Sequence, residues 1–543
     1  MLKGLMMDRP LLISSLIEFA ADTHGKAEIV SANAHGEIHR YTYADAAKRI
    51  ARLAHALTTL GIKPGDRVAT LAFNSYRHFE LYYAISGIGA VCHTINPRLF
   101  PEQLEYIVRH ADDRILFFGG VVADLVRKMR PQWPADLRFV AMEDAKSTAA
   151  IEGIPGLMAY EELLADRPDH MEWPEFDENT AAGLCYTSGT TGEPKGALYS
   201  HRSTLLHAFG TALATTKLHG LGKRILPIVP LFHVNAWGMP YTAALTGTSL
   251  IMPGPRLDGA SLFDLMDREG VTGSLGVPTV WRGLLTEIDK RGRKPTALSL
   301  AIIGGSACPR SMIEELERAG IEVNHAWGMT EMSPVGTCGQ LDPVEDALPA
   351  GQRLALKEMQ GRRMFGVELK IVDENGTRMA HDGQSVGELC VRGPAIAAAY
   401  FKNEDASSRL LEPEGWMRTG DMARIHPNGF MQIVDRAKDL VKSGGEWISS
   451  VDLESIATGF PGVALAAVIG IPDPKWDERP LLVVQAASGA KVAKEGLLAF
   501  MATKVAKWQV PDDVVFLDSL PLTATGKISK LQLREIIAKL SAN

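Results

Sequence analysis

The chain has 543 residues, more than one ordinary domain and enough to bury several cores. Apolar residues make up 46% and charged residues 22%, the balance of a soluble globular protein. The net charge of −7, from 57 basic and 64 acidic side chains, argues against a general nucleic-acid binder but not against a local basic funnel for a polyphosphate. Five scattered cysteines with no CxxC pair read as reduced, mostly buried thiols of a cytoplasmic protein. The first residues are interrupted by Asp8, Arg9, Pro10 and Glu18, which suits neither a signal peptide nor a bilayer span. No run of about 20 uncharged apolar residues occurs elsewhere, so no integral membrane segment is expected.

In chain order, residues 43–60 have apolar positions at helical spacing and stop at Gly61, which predicts an amphipathic helix. Residues 67–72 follow as a buried strand. Residues 115–118, 139–142, 225–229, 249–252 and 301–303 are further short runs of strand composition. Strands separated by helices predict an α/β fold with parallel sheets. From about 366 to 433 short strands (368–372, 387–392) alternate with turns such as 373–376, which predicts a small, β-barrel-like subdomain. The charged run 435–439 reads as a hinge. The expected organisation is a large N-terminal domain over 1–434 and a small, mobile α+β C-terminal domain over 440–543. The latter contains a strand at 464–471 and a last helix at 530–540.

Residues 186–196 carry most of the chemistry. Glycines at 189, 192 and 196 let a backbone approach an anion closely. Hydroxyls at Thr187, Ser188, Thr190 and Thr191 add donors, and Lys195 adds a positive charge. The stretch is not a Walker A loop, because Pro194 stands where that motif needs glycine. It lies between two strand-like runs, 182–186 and 196–199, as a glycine-rich hairpin over a nucleotide would.

Further segments follow in order. They are Pro230-Leu231-Phe232-His233-Val234-Asn235, Gly304-Gly305-Ser306-Ala307, Ala326-Trp327-Gly328-Met329-Thr330-Glu331, Thr419-Gly420-Asp421, Asp435-Arg436, Lys442-Ser443-Gly444-Gly445-Glu446 and Pro521-Leu522-Thr523-Ala524-Thr525-Gly526-Lys527. Together they resemble the motifs of the adenylate-forming superfamily of acyl-CoA synthetases, luciferases and peptide-synthetase adenylation domains.

The resemblance implies that a carboxylate attacks the α-phosphate of ATP, that pyrophosphate leaves, and that a thiol then captures the acyl adenylate while AMP leaves. It implies Lys527 at the transferring centre, Glu331 with Thr190 at Mg2+, and His233 in gating or positioning. ATP and AMP contacts fall to Thr187, Ser188, Gly189, Thr191, Gly192, Lys195, Gly304, Gly305, Ser306, Ala326, Trp327, Gly328, Met329, Thr330, Asp421 and Arg436. Asp421 is suited to the ribose hydroxyls and Trp327 to the adenine face. Read singly, Asp421 also suits a cap, Arg436 a surface ion pair and Trp327 plain core. Arg418, before Thr419-Gly420-Asp421, departs from the family pattern and reads as either a phosphate contact or a solvent-facing residue.

CoA is the implied second cosubstrate, with Lys442, Gly444, Gly445, Glu446 and Trp447 lining its path and Lys438 as the domain pivot. Val234, Trp237, Gly238 and Val335 are the expected acyl pocket, and their apolar or small character favours an apolar tail. No Asp stands where an amino group would need one. The likeness to bacterial medium-chain fatty-acid CoA ligases and methylmercaptopropionate CoA ligases implies a medium-chain acid, with short thioether or aryl acids as alternatives. A non-catalytic nucleotide or acyl sensor and a luciferase-like adenylating oxidase are readings of another class. The resemblance also allows a homodimer.

Overall fold

The computed structural model describes residues 1–187, 193–443, 446–523 and 526–541. Among these residues the strands form three sheets. The first runs in the order Met158–Ala159, Arg138–Ala141, Asp113–Phe118, Arg67–Leu71, Val91–Thr94, Ala181–Tyr186, Gly196–Ser200. Its strands are parallel except for the last pair, which closes as a hairpin.

The second sheet has a parallel half built from Glu28–Ala32, Ser249–Met252, Arg224–Pro227, Gly273–Gly276, Leu300–Ile303 and Glu322–Gly328. Its other half is antiparallel and runs through Val335–Cys338, Gly361–Arg363, Phe430–Arg436, Met417–Ile425, Gly387–Arg392 and Glu368–Val372. The β-rich stretch expected from 366 onward therefore continues the edge of the large sheet.

The third sheet holds Val441–Ser443, Glu446–Ile448, Val463–Asp473, Asp477–Ala486 and Asp513–Phe516, with the helices Ser450–Thr458, Lys494–Ala502 and Lys530–Ser541 beside it. The result is a large N-terminal α/β domain and a smaller C-terminal one. No helix among the described residues is long and apolar enough to cross a membrane.

Local chemistry explains the elements that matter here. The helix Tyr43–Thr59 begins at Thr42, whose hydroxyl accepts from Asp45 N while the Asp45 carboxylate accepts from Thr42 N. It buries Ile50, Leu53 and Leu57 and ends before Gly61, at φ +82°. The helix Tyr76–Gly87 is buried on nearly every side, as suits a helix wedged between sheets. Its tyrosines reach out of it to fix a loop of the site. The Tyr82 hydroxyl lies 2.6 Å from Leu231 O and 3.1 Å from Asn235 Oδ1, and the Tyr83 hydroxyl donates to Pro240 O at 2.8 Å.

Candidate active site

The hairpin Ala181–Tyr186 / Gly196–Ser200 presents the hydroxyl-rich loop. Thr187 N donates to Lys195 O at 2.9 Å, and the Thr187 hydroxyl accepts from Lys195 N at 3.3 Å, so the loop's base is closed twice. Ser188, Gly189, Thr190, Thr191 and Gly192 lie outside the described residues, as do Gly444 and Gly445. The Lys195 ammonium stands 5.1 Å from the centroid of the Tyr400 ring, and Phe401 N donates to Gly196 O at 2.8 Å.

Two parallel strands end side by side. Leu300–Ile303 runs into Gly304, Gly305 and the exposed Ser306, and Glu322–Gly328 carries Ala326 and Trp327. A methyl at Gly304 would meet Ala326 O at 2.7 Å and Trp237 Cη2 at 3.2 Å, and Gly305 sits at φ +80°. A methyl at Gly328 would meet Pro334 O at 2.1 Å; Met329 N donates to the same oxygen at 3.0 Å. Thr330 O accepts from the Tyr199 hydroxyl at 2.6 Å.

Asp421 and Arg436 are cross-strand partners, which is why Arg436 Nε reaches Asp421 Oδ1 at 2.8 Å. The other oxygen, Oδ2, accepts from the Trp327 indole N–H at 2.9 Å. Burial pushes the Asp421 carboxyl up from the ordinary range, and Arg436 opposes that shift.

Lys527 arrives from the C-terminal domain. Its Cε lies 3.7 Å from where a Cβ on Gly305 would stand. The Thr279 hydroxyl donates to Gly526 O at 3.3 Å, which pins the lysine's loop to the helix Pro278–Arg291. Burial, with Arg436 adding to it and Asp421 opposing, brings the ammonium pKa down to about 8. His233 is pushed down to about 3 by burial and by Lys527, so its imidazole is neutral at physiological pH.

Glu331 is 6% exposed on the turn Thr330–Met332, and its Oε1 accepts from the Tyr400 hydroxyl at 2.6 Å. Among the described residues no cluster of three or more metal-type side chains occurs. A single buried carboxylate fits Mg2+, because this ion keeps several waters and completes its shell with phosphate oxygens of a bound nucleotide.

Two of the expected acyl residues, Gly238 and Val335, meet at a side chain that the sequence reading missed. His207, in the helix His201–Ala214, accepts from Val335 N at Nε2 (3.0 Å), and its ring would stand 2.9 Å from a Cβ on Gly238. Val234, Trp237 and Gly238 lie in a run at positive φ, and Trp237 is packed against Gly304 and Gly305. Tyr400, Thr279 and His207 carried no motif. A buried histidine on a helix face was the one local signal, and it reads equally well as core.

The hairpin Val441–Ser443 / Glu446–Ile448 pairs Lys442 with Trp447 and Ser443 with Glu446. The Lys442 ammonium lies 5.9 Å from the Trp447 ring, and Trp447 is 49% exposed, outside the Lys527 cradle. At the hinge, Asp435 accepts from Ser450 N at 2.6 Å, the Ser449 hydroxyl donates to Val434 O, and Arg534 pairs with Asp439 at 2.9 Å. Arg418 is exposed, and there Glu388 (2.6 Å) and Glu412 engage its guanidinium. All five cysteines are free and buried, and burial pushes the Cys308 thiol well up, which removes it as a nucleophile.

The family described as AMP-binding enzyme matches residues 17–401, and its C-terminal domain matches residues 452–527. This chain belongs to the AMP-binding enzyme family. It is 52% identical to 3-methylmercaptopropionyl-CoA ligase of Ruegeria lacuscaerulensis, over 98% of each chain. It is 48% identical to medium-chain-fatty-acid–CoA ligase of Ectopseudomonas oleovorans, over 98% of this chain and 97% of that one. Among solved structures, ATP-bound MatB from Rhodopseudomonas palustris superposes with a TM-score of 0.81 at 25% identity, covering 96% of this chain and 98% of that one. An anthranilate CoA ligase holding anthranoyl-AMP shares the fold, with a TM-score of 0.85 at 24% identity over 98% of this chain and 99% of that one. Like these AMP-binding enzymes, the chain is an ATP-using, adenylate-forming acyl-CoA ligase.

Proposed function

We propose that this acyl-CoA ligase activates medium-chain fatty acids with Mg2+ and ATP and passes the acyl group to CoA in the cytoplasm. The observation that carries the arrangement is Lys527 beside Gly305 and Trp237, with its charge coupled to Asp421 and Arg436. An ammonium there meets the substrate carboxylate and the α-phosphate together. The carboxylate oxygen attacks the α-phosphorus, the bond to the β-phosphate oxygen breaks, and pyrophosphate leaves. Lys527 neutralises charge that grows in this step and so stabilises the transition state more than the ground state. Asp421 and Trp327 hold ribose and adenine, and the loop 187–195 covers the leaving phosphates. Glu331, with Thr190, would hold Mg2+, which supplies charge neutralisation on the phosphates.

In the second step the CoA thiolate attacks the acyl carbonyl and AMP leaves. Lys442, Glu446 and Trp447, with the glycines at 444 and 445, would line the thiol's path once the domain beyond residues 435–439 has turned about Lys438. The buried free thiols suit a reducing compartment.

Trp237 and Val335 are buried apolar side chains, which supports an apolar tail. A second reading, 3-methylmercaptopropionate, draws support from the 52% identity to the ligase of that acid. Short, medium, long, thioether and aryl acids, assayed for AMP release with and without CoA, decide between them. The proposal expects the highest kcat/KM on a medium-chain acid, with AMP release dependent on CoA. A higher kcat/KM on the thioether acid transfers the assignment, and release independent of CoA removes the thioester step.

A further inference from the structure

We propose that Tyr400 is a positioning residue that aims the Glu331 carboxylate at the divalent cation and ties that carboxylate to the phosphate loop. The inference rests on Glu331 being the metal-facing acid.

Glu331 is a buried carboxylate, and among the described residues no lysine or arginine forms an ion pair with it. An ionised acid in that setting is costly unless a cation or several donors offset it. Among the described residues its side chain is bonded to the Tyr400 hydroxyl at 2.6 Å, the short length of a charge-assisted O–H···O⁻ bond. That bond occupies Oε1 and leaves Oε2 for a metal. A carboxylate free to rotate would present either oxygen in any direction, whereas this one is held.

Tyr400 is itself held. Its N–H donates to the Ser407 hydroxyl at 2.9 Å, and the neighbouring Ala397 N–H donates to Glu331 O at 2.7 Å. Burial and the Glu331 charge push the phenol up, so it remains a donor across the neutral range. The opposite side of Tyr400 meets the phosphate hairpin. The Lys195 ammonium lies 5.1 Å from its ring centroid, and Phe401 N is bonded to Gly196 O. One aromatic side chain thus joins the loop that covers the leaving phosphates to the acid that faces their metal. Partners of metal ligands act in this way: they fix the ligand's direction, and their loss weakens metal binding without removing a ligand.

The test is a Mg2+ titration of full-length protein with a fluorescent α,β-methylene analogue of ATP and no acid, which reads binding and not turnover. Tyr400→Phe removes the hydroxyl and keeps the ring over Lys195. Its half-saturating Mg2+ should rise about 10-fold, with analogue binding at saturating Mg2+ and the melting temperature unchanged. Glu331→Gln should raise it further. An unchanged Mg2+ midpoint in Tyr400→Phe alongside a raised one in Glu331→Gln overturns the role of Tyr400 and leaves Glu331 as the metal acid. Unchanged midpoints in both overturn the reading of Glu331 itself. A lower melting temperature with no change in Mg2+ midpoint shows a structural role only and also overturns the proposal. If Tyr400→Phe does not fold, Tyr400→His, which keeps a donor on a ring, carries the titration: a midpoint near that of the native protein supports the proposal, and a 10-fold rise overturns it.

Discussion

The Lys527 ammonium stands where burial and the Arg436 guanidinium both favour its neutral form, which brings its pKa to about 8. The sign follows directly. The charge that the proposed adenylating role of Lys527 requires is present below that value and is lost as pH rises through it, well before the ordinary lysine range near 10.5. kcat/KM for acid-dependent ATP–pyrophosphate exchange, which reports the free enzyme, should therefore fall above pH about 8. Thioester formation from a supplied acyl adenylate should lack that limb. Lys527→Ala should lower exchange by 100-fold or more, about 2.7 kcal/mol or more of transition-state stabilisation, and spare the use of the supplied adenylate. Equal loss in both assays would remove Lys527 from the transferring centre. His233, at about 3, is neutral over the working range and adds no limb near pH 6.5. The lysine was legible only as the last of an ordered set of motifs, because a Thr-Gly-Lys loop by itself reads equally well as solvated. Its depressed pKa was not, because Arg436, Asp421 and the glycines that enclose it come from distant strands.

The segment after Pro230 is the element in which local rules fail. Val234, Asn235, Ala236 and Trp237 all have positive φ, between 43° and 58°, and Gly238 continues the turn at 78°. Left-handed backbone costs a non-glycine residue roughly 1–2 kcal/mol, and sequence patterning predicts no such run. Tertiary bonds hold it. Asn74 accepts from Leu231 N and donates to Pro227 O and Val229 O, the Tyr82 hydroxyl reaches Leu231 O and Asn235, and Ala236 N donates to Pro230 O. Strain held in this way accumulates where a side chain must be aimed, and here the side chain aimed is Trp237, toward Gly304. Gly238→Ala adds a Cβ 2.9 Å from the His207 ring at a φ unsuited to alanine. It should destabilise the chain by about 1–3 kcal/mol and raise KM for the acid, as measured by chemical denaturation and by adenylation kinetics. A neutral stability change would show that the His207 contact yields freely. By contrast, the hairpin strands around the phosphate loop, the helix Tyr43–Thr59 and the strands Glu368–Val372 and Gly387–Arg392 were readable, because alternation, a cap and a turn glycine are local signals.

Across the molecule, the C-terminal domain delivers Lys527 into the N-terminal cradle while Trp447 remains half in solvent. That arrangement suits adenylate formation. On the proposal that CoA captures the acyl group at the other face of this domain, the chain would pivot between the two steps. The segment 435–439 is clasped at both ends, by Asp435 to Ser450 and by Asp439 to Arg534. Proline at 438 restricts the backbone there. Lys438→Pro should keep acid-dependent pyrophosphate exchange within a few-fold of the native rate and lose thioester formation. Equal retention of both activities would sink the pivot assignment.

The reaction class was written in the chain alone. A phosphate loop needs glycines and hydroxyls at adjacent positions, and the adenine, ribose and lysine motifs are likewise short and follow in order, so the set can be read without knowing what it touches, although each motif alone reads equally well as a cap, an ion pair or core. The partners of those motifs were decided by folding. Tyr400 on Glu331, His207 between Gly238 and Val335, the Trp327 indole on Asp421, and Glu388 on Arg418 all join residues far apart in sequence. Contacts of that kind depend on the register of strands and the angle of packed helices, which no local spacing specifies.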